Sequence, residues 1–159
     1  MTIDEFNEHR SSIEQLLTRP GSEGTRLQLL CDYLRDAIDH YDWFGFYLAV
    51  PGERTLALGP FSGEPTEHVR IPYGRGICGQ AAEREETFVV QDVTTQDNYL
   101  ACSLAVKSEI VVPVFHDGEV VGEIDIDSHV TNPFTEADKR FLEELADRVA
   151  SLVAAILPR

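Results

Sequence analysis

The sequence predicts an α+β fold, a central antiparallel sheet with helices packed on it, and three observations lead there. Apolar residues recur at helical spacing towards both ends of the chain, over 27–41 and 141–156. Between them lie branched and aromatic runs bounded by Gly, Pro and Asp, the pattern of strands. Two of those runs flank Asp117-Gly118, a pair suited to the positive φ values of a two-residue hairpin turn, so these neighbouring strands run antiparallel. Hairpin-linked strands with helices at either end give layers of helix on sheet.

Taken in order, two helices are expected to open the chain. The second carries Leu27, Leu30, Cys31, Leu34, Ile38 and Tyr41 on one stripe, with Asp32, Arg35, Asp36 and Asp39 opposite. Cys31 therefore reads as a small core residue. Trp43 to Val50 is rich in aromatic and branched residues and reads as a strand ended by Pro51-Gly52, with Thr55 to Leu58 as its hairpin partner. From Gly59 to Tyr73 the chain reads as loop, extended over His68 to Ile71. Ile77 to Arg84 suits a short helix and Thr87 to Val90 a strand. Glu109 to His116 and Glu119 to Asp127 form the hairpin. Thr135 and Asp138 then resemble a capping box, and Phe141, Leu142, Leu145, Val149, Leu152, Val153 and Ile156 line a long final helix.

A length of 159 residues fits one domain, 1–159, with a real core. The net charge is −15 and only Lys107 and Lys139 are lysines, so phosphate backbones and anionic lipids would be repelled. Neither nucleic acid nor membrane is expected as a partner. No apolar run reaches the length of a membrane helix, and the acidic N-terminus lacks a signal-peptide pattern, which makes a cytoplasmic protein the expectation. Three cysteines argue against a disulfide scaffold and for free or redox-active thiols.

Two of those thiols stand out. Cys78 lies in the glycine-framed run Gly74-Arg75-Gly76-Ile77-Cys78-Gly79, and Cys102 follows Asn98-Tyr99-Leu100-Ala101. Each can be read as a reactive thiolate beside polar groups or as an inert buried residue. Their spacing is not that of a zinc ribbon, which leaves a Cys2His site with His68 as the one conceivable metal arrangement. The glycines of Gly74-x-Gly76-x-x-Gly79 read as a tight turn with close backbone approach, since no βαβ unit surrounds them to support dinucleotide binding.

Alternation along Val121 to Asp127 puts Glu123, Asp125 and Asp127 on one face. That face is either solvated or the lining of a pocket. In a pocket, mutual repulsion would leave one carboxyl protonated near neutral pH, able to bind an ammonium group or donate a proton to an oxygen. Trp43 and Tyr47 share a strand face as well, as core packing or as an aromatic wall.

Together these segments resemble the free methionine-(R)-sulfoxide reductases, enzymes built on the GAF fold. The resemblance rests on Asp42-Trp43-Phe44-Gly45-Phe46-Tyr47-Leu48, Leu58-Gly59-Pro60-Phe61-Ser62-Gly63, Arg70 to Gly79, Ala101-Cys102, Ser108 to Pro113, and Asp125-Ile126-Asp127-Ser128. It implies a GAF-like sheet enclosing a pocket for one free amino acid. Cys102 would be the nucleophile. Glu109, Asp125 and Asp127 would bind the substrate's ammonium group and help protonate its oxygen, and Trp43 and Tyr47 would contact the methyl-sulfoxide end. A sulfenic acid on Cys102 would be resolved by a second thiol, with reducing equivalents from thioredoxin or another thiol and no metal or organic cofactor. A homodimer is also implied.

The chain departs from that pattern where it matters. His68 occupies the position of the usual resolving cysteine, so Cys78 or an external thiol must take that part. There an imidazolium beside Cys102 would stabilise its thiolate. Tyr99 replaces a usual histidine, Ser103-Leu104-Ala105-Val106 lacks a usual acidic residue, and Glu123 stands where an apolar residue is common. The rival expectation is a GAF module that binds a small ligand as a sensor without catalysis.

Overall fold

Hydroxyl caps open three of the helices in the computed structural model, which describes residues 1–99 and 105–158. Thr2 caps α1 (Ile3–Asn7), which is followed by α2 (Arg10–Leu17); Ser22 caps α3 (Glu23–Ala37). The sequence led us to expect two opening helices, and there are three. The break at Glu8-His9 turns Phe6 onto the final helix, where its ring stacks on Phe141 with centroids 4.5 Å apart. α3 is also shorter than its apolar stripe. Ile38 is already extended, and it and Tyr41 stay buried from beyond the helix end.

The strands are β1 (Trp43–Ala49), β2 (Thr55–Ser62), β3 (Arg70–Pro72), β4 (Phe88–Val90), β5 (Ser108–His116) and β6 (Glu119–Ser128). They form one antiparallel sheet in the order β3-β2-β1-β6-β5-β4. Asp117 and Gly118 have φ of 53° and 80°, the hairpin turn expected between β5 and β6. β2 runs four residues beyond the predicted Leu58 to Ser62 because Gly59-Pro60 is taken up as a bulge instead of a turn. The register against β1 shifts there, between Gly45 and Tyr47. The remaining helices are α4 (Gly76–Arg84) and α5 (Glu136–Ala155), the latter opened by the Thr135–Asp138 capping box.

Strand alternation sorts the sheet into two unlike faces. On one, Phe44, Phe46, Leu48, Ile110, Val112, Ile124 and Ile126 pack with α3 and α5 into the main core. Burying side chains of this size stabilises the fold by about 1.5–3 kcal/mol each before chain entropy is counted. The opposite face carries Trp43, Tyr47, Glu109, Val111, Glu123, Asp125 and Asp127, and α4 covers it. Helices thus lie on both faces of the sheet. Among the described residues no helix is long and apolar enough to cross a membrane.

Candidate functional site under helix α4

Glycine makes the approach of α4 to the sheet possible. Gly74 and Gly76 have φ of 88° and 65° in the turn that feeds the helix. A Cβ on Gly79 would lie 2.5 Å from the Pro72 carbonyl oxygen, so only glycine fits where the helix crosses that backbone. The glycine run is therefore a turn and a close approach, as the sequence suggested. Asn98 fastens the same turn from outside: its Oδ1 accepts the Gly76 amide at 2.9 Å and its Nδ2 donates to the Gly74 carbonyl at 2.8 Å.

This geometry sets Cys78 in the first turn of α4, facing the sheet and 5% exposed. It is a buried helical thiol, within the short helix expected over Ile77 to Arg84. Beneath it lie the acids. Asp125 pairs with Gly45 on one side and Val111 on the other, Asp127 with Trp43 and Glu109, and Glu123 with Tyr47 and Pro113. Glu109 is 5% exposed and Glu123, Asp125 and Asp127 no more than 1%, so the solvated-face reading fails: these acids are buried beneath the helix. The Cys78 Sγ points at Glu109 Oε2 from 3.7 Å. Sγ and one oxygen each of Glu109 and Asp125 all lie within 4.8 Å of one another.

Burial is the main force on these protons. It pushes the Cys78 thiol well above the usual cysteine range, helped by the charges of Asp125, Glu123 and Glu109. A helix N-terminus ordinarily favours thiolate, but three carboxylates outweigh it here. Burial, then repulsion from Asp125, raises Glu123 well above the carboxylate range. Asp125 is raised by burial too, with hydrogen bonds to Glu109 and Cys78 offsetting part of the effect. The site therefore holds protons that exposed carboxyls would have lost.

Aromatic rings close one end. The Trp43 ring lies over Gly45 and Gly63, where a Cβ would come within 2.4 Å and 2.5 Å of it, and its Nε1 donates to the Glu64 carbonyl at 2.9 Å. It stacks on Phe61 and, at 6.5 Å, on Tyr47. Tyr47 donates its hydroxyl to the His68 carbonyl at 2.9 Å. Tyr47, His68, Cys78, Glu109 and Asp125 all line one narrow pocket, and Trp43, Glu123 and Asp127 are not part of its lining.

Four further lining residues escaped the sequence reading: Ile71, Arg75, Gly76 and Ile77. Arg75 could have been noticed as the one cationic side chain within the glycine-framed turn. Asn98 gave no signal, because its role is to bond backbone groups far away in sequence. Cys102 lies outside the described residues. Cys31 is fully buried against the Pro60 carbonyl on the helical face, as expected for a core residue. Among the described residues the group with metal-ligand geometry is Cys78, Glu109 and Asp125, without His68.

Comparison with known proteins gives this arrangement a family. The model of the GAF domain matches residues 22–154. The free methionine-R-sulfoxide reductase of Escherichia coli is 39% identical over 121 residues, which cover 76% of this chain and 72% of that protein. The chain belongs to the free methionine-R-sulfoxide reductase family of GAF-domain proteins. Two solved members of the family match it in three dimensions as well. The type II enzyme of Thermoplasma acidophilum superposes with a TM-score of 0.81 at 40% identity, covering 85% of this chain and 94% of its own. The Neisseria meningitidis enzyme, solved in complex with its substrate, gives 0.89 at 36% identity over 96% and 90%.

Proposed function

We propose that this protein reduces free methionine-(R)-sulfoxide to methionine with electrons from thiols. The observation that carries the reading is the set of buried carboxyls beneath Cys78, in a chain of this family: Glu109 and Asp125 on the pocket wall, Asp127 and Glu123 beside them. A free amino acid offers an ammonium group to such acids, and few uncharged ligands would compensate them.

In this mechanism Glu109, Asp125 and Asp127 hold the ammonium group, and Arg75 meets the substrate's carboxylate. Tyr47 and Trp43 flank the methyl-sulfoxide end. The Cys102 sulfur attacks the sulfoxide sulfur while Asp125, whose proton affinity burial raises, donates towards the sulfoxide oxygen. The oxygen passes to the Cys102 sulfur as the substrate's S–O bond and the transient S–S bond break. Methionine leaves reduced by two electrons, and Cys102 is left as a sulfenic acid carrying the proton from Asp125. Cys78 then attacks that sulfur. An S–S bond forms, the thiol proton and the hydroxyl depart as water, and an external dithiol of the thioredoxin kind restores both cysteines. With His68 in place of a resolving cysteine, Cys78 is the internal thiol available on the pocket wall. Support for its reach comes from Asn98, which stands four residues before Cys102 and is fastened to the turn that carries Cys78. A homodimer in the cytoplasm completes the reading.

The test is turnover of the separate sulfoxide epimers of free methionine with excess dithiothreitol. The R epimer should be consumed and the S epimer spared, with activity lost in Cys102→Ser. Binding of the amino acid without turnover would instead make the chain a sensor module.

A further inference from the structure

We propose that Cys78, Glu109 and Asp125 form a binding site for a thiophilic divalent cation of the zinc and cadmium kind, and that the ion and the amino-acid substrate exclude one another. The second half rests on the proposed function; the first does not.

The three ligand atoms lie within 4.8 Å of one another, with Sγ and Glu109 Oε2 at 3.7 Å. Sulfur and oxygen ligands on one tetrahedral zinc ion stand roughly 3.5 Å apart, from bond lengths of about 2.3 and 2.1 Å. The Cys78–Glu109 pair already stands near that spacing, and the Asp125 oxygen completes the site from within 4.8 Å. A second observation points to a cation here: among the described residues, the buried Oδ1 of Asp125 has no hydrogen-bond partner. An unpaired buried carboxyl oxygen is costly, and a doubly charged ion bound beside it relieves that cost. Thiolate and carboxylate together select zinc or cadmium over magnesium or calcium, which prefer all-oxygen sets. Arg75 shares the pocket wall and sets a limit on affinity by opposing a cation. On binding, the S–H bond of Cys78 gives way to a metal–sulfur bond and the proton passes to solvent. Glu109 and Asp125, the acids assigned to the ammonium group, are then occupied.

Cadmium is the probe, added to the full chain kept reduced with a phosphine and read by its thiolate charge-transfer absorption and by equilibrium dialysis. One ion per chain is expected in the wild type and in Cys102→Ser. The absorption should vanish in Cys78→Ser, and affinity should fall at least tenfold in Asp125→Asn and Glu109→Gln, each checked for native circular dichroism. Absorption that persists in Cys78→Ser, or disappears in Cys102→Ser, overturns the site. So does unchanged affinity in both carboxylate variants. Free L-methionine should raise the apparent Kd for cadmium in proportion to its concentration; indifference overturns mutual exclusion. Tight cadmium binding by a protein without turnover would sink the reductase reading and leave the metal site standing. Turnover without cadmium binding does the reverse.

Discussion

Asn98 holds Gly76 by its backbone, accepting the first amide of α4 at 2.9 Å while donating to Gly74 two residues earlier. Asn98 stands four residues before Cys102 in the sequence, and its exposed side chain is tied to the turn that feeds the helix carrying Cys78. Replacing Asn98 with Ala should cost about 1 kcal/mol of stability, the worth of ordinary hydrogen bonds at a surface. Its effect on the resolving step should be larger, about tenfold or more if a fraction of an ångström matters there. Stopped-flow measurement of disulfide formation after one turnover separates the two: a slowed resolving step with a nearly unchanged melting temperature is the expected outcome.

Gly45 is the floor under the Trp43 ring. An alanine there would place its Cβ 2.4 Å from the ring and 2.8 Å from the Phe61 Cβ. Gly45→Ala should destabilise by about 1–3 kcal/mol, as overpacking does, and swing Trp43 off its Glu64 hydrogen bond. Tryptophan fluorescence checks this directly, since Trp43 is the only tryptophan in the chain. An unchanged emission maximum would show that the ring had not moved.

Glu123 tests whether the site stores destabilisation. Its carboxyl is fully buried, and among the described residues neither oxygen has a partner at ordinary hydrogen-bond geometry, the Cys78 thiol being the group set against it. Glu123→Leu keeps similar bulk and removes an unpaired acid, so at neutral pH the variant should be more stable by about 2 kcal/mol. Urea denaturation gives the number. A loss of stability would mean that Glu123 is satisfied in some way other than the structure describes.

These particular residues show how far a single sequence reaches. Capping boxes, the Asp117-Gly118 hairpin and the apolar stripes are local signals, so α5, β5 and β6 were legible within a residue or two. Strand alternation put Glu123, Asp125 and Asp127 on one face, yet could not tell water from a pocket. The answer depends on α4 crossing that face, a contact made by Gly79 against Pro72, which no local pattern records. Gly59-Pro60 misled for a related reason: in isolation it is a turn, and only pairing with β1 makes it a bulge. Arg75 and Asn98 act through tertiary placement alone.

Far from the pocket, Asp138 locks the start of α5. Its Oδ1 accepts from the Tyr41 hydroxyl at 3.0 Å and stands 2.7 Å from His40 Nε2, and its Oδ2 accepts the Thr135 amide at 2.8 Å. Burial alone would raise its pKa, but the hydrogen bonds of His40 and Thr135 hold it below the usual aspartate value. A carboxyl depressed on folding adds stability above its unfolded pKa, and that stability is lost as the pH falls through the folded value. Wild-type stability should therefore decline on acidification below about pH 4, the ordinary aspartate range. Asp138→Asn should cost about 2–4 kcal/mol at neutral pH and show a flatter acid limb in thermal melts across pH. Parallel curves for the two proteins would remove Asp138 from the account.

The most direct measurement is a single turnover without reductant. Fully reduced protein is mixed with excess free methionine-(R)-sulfoxide, and methionine formed and thiols lost are both counted. The account requires about one methionine per chain and the loss of two thiols, joined as a Cys78–Cys102 disulfide in the peptide map, with no product from the S epimer. Absence of methionine from a reduced, folded protein would contradict the central claim. One methionine with both Cys78 and Cys31 still free would keep the reductase and contradict Cys78 as the resolving thiol.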